Sequence, residues 1–175
     1  MEKAASLGEN ENGVVSKYRN DLETAESYAG VWQIVKDTVE SALGKRGRGM
    51  MLFLDDLSLQ LGAYHPVGTN NIVLNRTLVE VVEASEKSKL VVSALVYNLL
   101  LHEYLHALGE LSEDEVKRLV VVVAKKCFGE EHIATTIARK TPWILLRDIP
   151  VGPINAPKRV MEIVKDLEKT GKYIV

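Results

Sequence analysis

The stretch from Lys89 to Leu108, KLVVSALVYNLLLHEYLHAL, constrains this chain more than any other. Ser88 is placed to cap its start and Gly109 to end it in a left-handed turn, so the stretch reads as one long helix. A helix this apolar must be enclosed by the rest of the chain. Two histidines and a glutamate, His102, Glu103 and His106, stand where the pattern would accept more leucine. Burying a polar group without a partner costs roughly 1–3 kcal/mol, so something has to compensate these three.

The enclosing material is enough for one domain: 175 residues, 46% hydrophobic and 26% charged. A formal charge of -2 argues against a nucleic-acid partner, because a phosphate-binding surface carries a basic excess. The densest basic cluster, GKRGRG from Gly44 to Gly49, reads as a solvated turn. Cys127 is the only cysteine, which excludes a disulfide framework and a cysteine-based zinc site and fits a reducing compartment. The N-terminal MEKAASLGENENG has no apolar signal core, and the run Leu90 to Leu101 is broken by Ser93 and Asn98. That run is shorter than the roughly 20 residues a bilayer requires. The expectation is a cytoplasmic protein with no membrane partner; the sequence assigns no oligomeric state.

Patterning places the other elements around the long helix. A polar, flexible segment is expected over residues 1–13, and a helix from Ser16 to Leu43 with a break near Gly30. MMLFLDDLSLQLGAY, with alternating Leu57, Leu59 and Leu61, reads as strand; HPVGTN supplies a turn and NIVLN a second strand. Thr77 to Ala84 suggests a short helix. Ser112 and Glu115 are spaced as a capping box for a further helix, SEDEVKRLVVVVAKKCF, whose four valines would otherwise suit a strand. EEHIATTIARK looks helical, PWILL extended, and Lys158 to Lys169 a final amphipathic helix. The sum is a single α+β domain over 1–175: a small, mostly antiparallel sheet packed on the long helix, a core over about 31–128, a C-terminal extension over 129–175 and helices at both ends.

His102, Glu103 and His106 form an H-E-x-x-H sequence. On a helix, residues four apart lie on one face with Cβ atoms about 5–6 Å apart, so both imidazoles can reach one zinc ion. Zinc lowers the pKa of a coordinated water to about 7. Glu103, on the neighbouring edge of the helix, can then take a proton from that water and later deliver it to a leaving amine. The metal would compensate the polar face of the buried helix.

With NIVLN followed by a helix bearing HEYLHALG, the chain resembles the zincin metallopeptidases over about Met51 to Phe128. In that family a zinc helix lies under a small sheet whose edge strand binds extended peptide. The resemblance implies that His102 and His106 bind Zn2+, that Glu103 is the general base and acid, and that Ile72 to Leu74 lie in or beside the edge strand. The metzincin branch would need its third ligand where this chain has Ser112. The gluzincin branch takes a glutamate from a following helix, often as E-x-x-small. EDEV fits, with Glu113 as ligand and Val116 as the small residue; Glu115 is the competing choice. The short spacing is similar to that of compact minigluzincins.

Other residues carry smaller expectations. Tyr64 and His65 either reach the cleft to bind an oxyanion or decorate a surface turn. Asn98 either orients a ligand or makes a buried helix contact. His132 reads as a helix-end residue, and Trp32 and Trp143 as core. The function implied is zinc-dependent hydrolysis of a peptide or protein substrate. The alternative is a regulatory or binding protein on the same scaffold, its metal site structural or closed by the chain's own ends.

Overall fold

The structure, a computed structural model, describes residues 2–85, 87–150, 152 and 155–168, with side chains from Glu11 onward. The order of elements is α1 (Glu2–Thr24), α2 (Tyr28–Leu43), β1 (Met51–Asp55), β2 (Ala63–Tyr64), β3 (Asn71–Asn75), α3 (Arg76–Ala84), α4 (Lys89–Ala107), α5 (Glu113–Phe128), α6 (Ile133–Lys140), a 3-10 turn (Pro142–Leu146) and β4 (Glu162–Ile163). The fold is α+β.

Helix α4 is the long apolar stretch, and it is central. It packs against α1, α2, α3, α5 and α6 and supports β2 and β3. Ser88 caps it by accepting a hydrogen bond from Val91 N–H. By length and composition α4 could cross a membrane, yet 67% of its apolar 18-residue window is buried inside the protein, as befits a core element. Trp32 meets Tyr104 edge-on at 4.9 Å, and Tyr97 meets Phe128 at 5.0 Å, which ties α2 and α5 to one face of α4, two turns apart.

The sheet is small and mixed, in the order β2-β3-β1-β4. Its longest pairing, β1 with β3, is parallel from Met51↔Asn71 to Asp55↔Asn75; β2–β3 and β1–β4 are short antiparallel pairs. A mostly antiparallel sheet was the expectation, and the parallel centre corrects it. The connection over 56–70 is long enough for a parallel crossover, and it places β2 on the far side of β3. Strand β3 is therefore interior, and β2 is the edge. Ile72, Val73 and Leu74 are all buried, as strand residues covered on both faces should be.

Leu57, Leu59 and Leu61 belong to a loop instead of a strand. Buried Asn75 replaces the ladder there: its Nδ2 donates to the carbonyls of Leu57, Ser58 and Leu61, and its Oδ1 accepts from Leu57 N–H. The same Oδ1 accepts from Leu78 N–H and caps α3.

Five further expectations change. The helix break falls at residues 25–27, not at Gly30, because Ser27 caps α2 by accepting from Gly30 N–H. The backbone of residues 2–13 is helical within α1. From Lys158 to Glu168 the chain is extended and turned, not helical; Lys169 and the residues after it lie outside the described residues. The open side of β1 takes this segment as β4, with Val164 N–H donating to Leu52 O. Asp56 fastens it by accepting three hydrogen bonds from Arg159. PWILL coils as the 3-10 turn, and Trp143 is 37% exposed, not core.

Candidate metal centre

The end of α4 builds the site. Gly109, at φ 104°, reverses the chain; its N–H donates to His106 O while Glu110 N–H donates to Leu105 O. This is a Schellman stop. It turns the carbonyl of Glu110 back onto the last helical turn, 2.7 Å from His106 Nδ1. A carbonyl only accepts, so Nδ1 carries the proton and Nε2 is left with its lone pair. Ser112 then caps α5 by accepting from Glu115 N–H, which sets Glu113 in the first turn, opposite the histidines.

Glu113 Oε1 lies 2.9 Å from His106 Nε2, and Oε2 lies 3.2 Å from His102 Nε2. The nearest ligating atoms of His102, His106 and Glu113 all fall within 4.8 Å of one another. A tetrahedral zinc with bonds of about 2.0–2.1 Å separates its ligand atoms by roughly 3.3 Å, close to these spacings. The His106 ring supplies a second test. Both of its nitrogens face oxygen acceptors, and a neutral imidazole donates from only one. A cation between Nε2 and the carboxylate resolves the conflict, and two imidazoles with a carboxylate suit zinc better than calcium or magnesium. The residues present fit the ion.

Electrostatics agree with the geometry. Burial lowers the pKa of His102, with the Glu113 carboxylate opposing and the His106 ring and Lys117 adding to the fall, which favours the neutral, ligating form. Glu113 titrates below the usual range: burial raises it, but His102 and His106 together prevail. Glu103 is 8% exposed. Burial pushes its pKa up to about 7, with His106 and the backbone N–H of His65 pulling down and Glu113 pushing up. A carboxyl poised near neutrality is suited to proton transfer in both directions.

The competing residues fall elsewhere. Glu115 is held by Arg118 in two contacts of 2.5 and 2.8 Å and is not part of the cluster. The capping box is therefore half-formed. His65 Nδ1 donates to Asn71 O, and Tyr64 and His65 both line the cleft above Glu103. Asn98 makes a buried contact away from the three candidate ligands: its Nδ2 donates to Ala94 O and Ala134 O, tying α4 to α6. His132 caps α6, its Nδ1 accepting from Ala134 N–H, with its ring stacked on Phe128.

Glu103 forms part of the wall of two concavities. One is a cleft of about 1050 Å³ that includes His106, Glu113 and the edge strand β2. The other is a cavity of about 250 Å³ beside His102. Exposed Leu61, Val67 and Leu111 stand in the wall of the cleft. So do Arg46 and Arg48 of the glycine-rich turn, which is solvent-exposed as its sequence suggests. The turn is anchored by a hydrogen bond from Gly47 N–H to Tyr104 Oη, 2.8 Å. A Cβ at Gly47 would meet Leu108 Cδ2 at 2.8 Å, so glycine permits this approach. Tyr104, next to Glu103 in sequence, was the available signal for that anchor, but its partner is distant along the chain. Comparison of the chain with known protein families, characterised proteins and solved structures found no match.

Proposed function

We propose that this protein is a zinc-dependent peptidase of the gluzincin kind, similar to the compact minigluzincins. The observation that carries the reading is the placement of Glu103, a buried carboxyl between two histidines that converge with Glu113, beside the free edge of β2. His102, His106 and Glu113 would hold the ion, with Glu110 O fixing the His106 ring. Zinc bound there would acidify a water and polarise a peptide carbonyl.

The chain's own groups supply the rest. Glu103 accepts a proton from the attacking water and returns it to the leaving amine, a task matched by its raised pKa. Strand β2 lies at an edge of the sheet, where a substrate can lie extended beside it. Leu61, Val67 and Leu111 supply apolar contact in the cleft wall.

The test is digestion of a broad peptide library by the zinc-loaded protein and by its Glu103→Gln variant. The variant is expected to retain zinc and fold while losing about 10²–10⁴-fold in rate. Cleavage that survives in the variant would remove Glu103 from catalysis. A wild type that binds zinc and cleaves nothing would favour a structural metal in a binding protein.

A further inference from the structure

The cleft of about 1050 Å³ carries charge of both signs on its wall, and the two signs are separated. Successive residues turn about 100° around a helix. On α4, His102 and His106 therefore share one side, Glu103 and Ala107 come next, and Tyr104 and Leu108 next again. Gly47 N–H donates to Tyr104 Oη, and Gly47 packs against Leu108, so the glycine-rich turn stands across α4 from the histidines. Glu103 and Glu113 hold the end of the cleft at the metal centre, and Arg46 and Arg48 hold the other. The crossing is one helix diameter, roughly 10–12 Å, a span of about three extended residues.

The turn is held at three points. Gly44 N–H donates to Glu40 O, Gly47 N–H to Tyr104 Oη, and Met50 N–H to Glu168 Oε1. Arg46 and Arg48 stand between these points. Arg46 is already matched, its guanidinium lying 2.6 Å from Glu40. Arg48 is exposed and has no acidic partner among the described residues. A charge held in place on a cleft wall pairs with a ligand at a smaller loss of freedom than one on a loose loop.

We propose that Arg48 selects peptides carrying a carboxylate about three residues from the scissile bond, either an acidic side chain or the peptide's own C-terminus. The inference deepens the peptidase reading and rests on it. A guanidinium binds a carboxylate through two parallel hydrogen bonds, and Arg46 adds positive potential at the same end of the cleft. The acidic wall residues, Glu103 and Glu113, lie at the other end. A basic side chain would meet Arg48 as a like charge.

Binding is read apart from turnover, in the Glu103→Gln protein with zinc in excess. The probe is the acetylated, amidated heptapeptide Ala-Ala-Ala-Leu-Ala-Ala-Ala, with Asp, Asn or Lys at its first or its last position. A further version ends in Asn with a free C-terminus. NMR follows the Arg48 Nε–H and the Gly47 amide. At one of the two ends Asp is expected to bind about two- to fivefold more tightly than Asn, the worth of an exposed ion pair. Lys should bind most weakly, and the preference should fade in about 0.5 M salt. A free C-terminus that binds as well as Asp makes the peptide's end the carboxylate recognised; one no better than Asn makes it the side chain. Arg48→Glu removes no contact seen in the fold, so its melting temperature should be unchanged while Lys overtakes Asp. Equal binding of Asp and Asn at both ends would overturn the proposal, as would an order that persists in Arg48→Glu, or no shift at Arg48 with any peptide. A wild type that cleaves peptides without this preference loses the selectivity and keeps the function. Charge-dependent binding that Arg48→Glu reverses, in a protein that cleaves nothing, keeps the selectivity and loses the peptidase reading.

Discussion

Glu113 Oε1 stands 2.9 Å from His106 Nε2, while the other nitrogen of the same ring stands 2.7 Å from Glu110 O. One turn of chain therefore sets both sides of the imidazole: the helix stop holds its back and the next helix start supplies its partner. The sequence spacing between the H-E-x-x-H helix and the glutamate is short because the Schellman turn does the reversal in two residues.

The purified protein is expected to bind one divalent ion per chain, zinc most tightly. Zinc at about 100 times its dissociation constant should stabilise the fold by about 2.7 kcal/mol, read as a rise in melting temperature. A His102→Ala, His106→Ala double variant should lose both the ion and the rise. Wild-type zinc content in that variant would exclude the cluster as the site.

Glu113→Gln should weaken zinc binding by more than about tenfold, since even outer-shell changes reach that size. Glu115→Gln should leave it unchanged, because Glu115 is occupied by Arg118. Calorimetric titration of the two variants decides between them. The reverse order would move the third ligand to Glu115.

Tyr104→Phe should cost about 1 kcal/mol, leaving Gly47 N–H without its acceptor. Its edge-on packing with Trp32 survives the change, so the loss is that of the hydrogen bond. Hydrogen exchange at Gly47 should rise in the variant. Unchanged exchange there would mean that the turn does not depend on this anchor.

Acid should unfold the protein through the carboxylates that hold the C-terminal segment. Glu168 accepts from Lys36, Trp32 N–H and Met50 N–H. Burial raises its pKa, but these partners together lower it below the ordinary value. The Arg159 guanidinium similarly lowers Asp56 and Glu80. With folded values below unfolded ones, the unfolded chain binds more protons as pH falls. The stabilisation is thus present above about pH 4 and is lost as pH drops through the folded values. Glu168→Gln should cost about 2–3 kcal/mol at neutral pH by leaving buried Lys36 without its charge partner, and should flatten the acid limb. An unaltered acid limb in denaturant titrations would show that this latch contributes nothing.

Local periodicity made the helices legible. Ser88, Ser112 and Gly109 announce their ends through side chains and backbone freedom that act within a few residues. For the same reason the histidine pair and Glu103 could be read directly, since spacing along a helix is spacing in space. The glutamate ligand was half-legible: helix α5 was recognisable, but whether Glu113 or Glu115 faced α4 depended on the angle of the turn between them.

Strand partners were not legible. Nothing local tells Met51–Asp55 to pair in parallel with Asn71–Asn75, or Glu162–Ile163 to become an edge strand instead of part of a helix. Pairing is a contact between distant segments, decided by which open edge remains once the apolar faces are buried. The segment after β1 looked like a strand until Asn75, distant in sequence, satisfied its backbone groups as a loop. The sequence by itself determined the buried helix, its caps and the polar trio it carries. Only tertiary structure decided that β2 is the free edge, that Arg46 and Arg48 stand in the cleft wall, and that Asn98 keeps an acceptor without a donor. Those three depend on packing between elements far apart in the chain, where burial and hydrogen-bond satisfaction outweigh local preference.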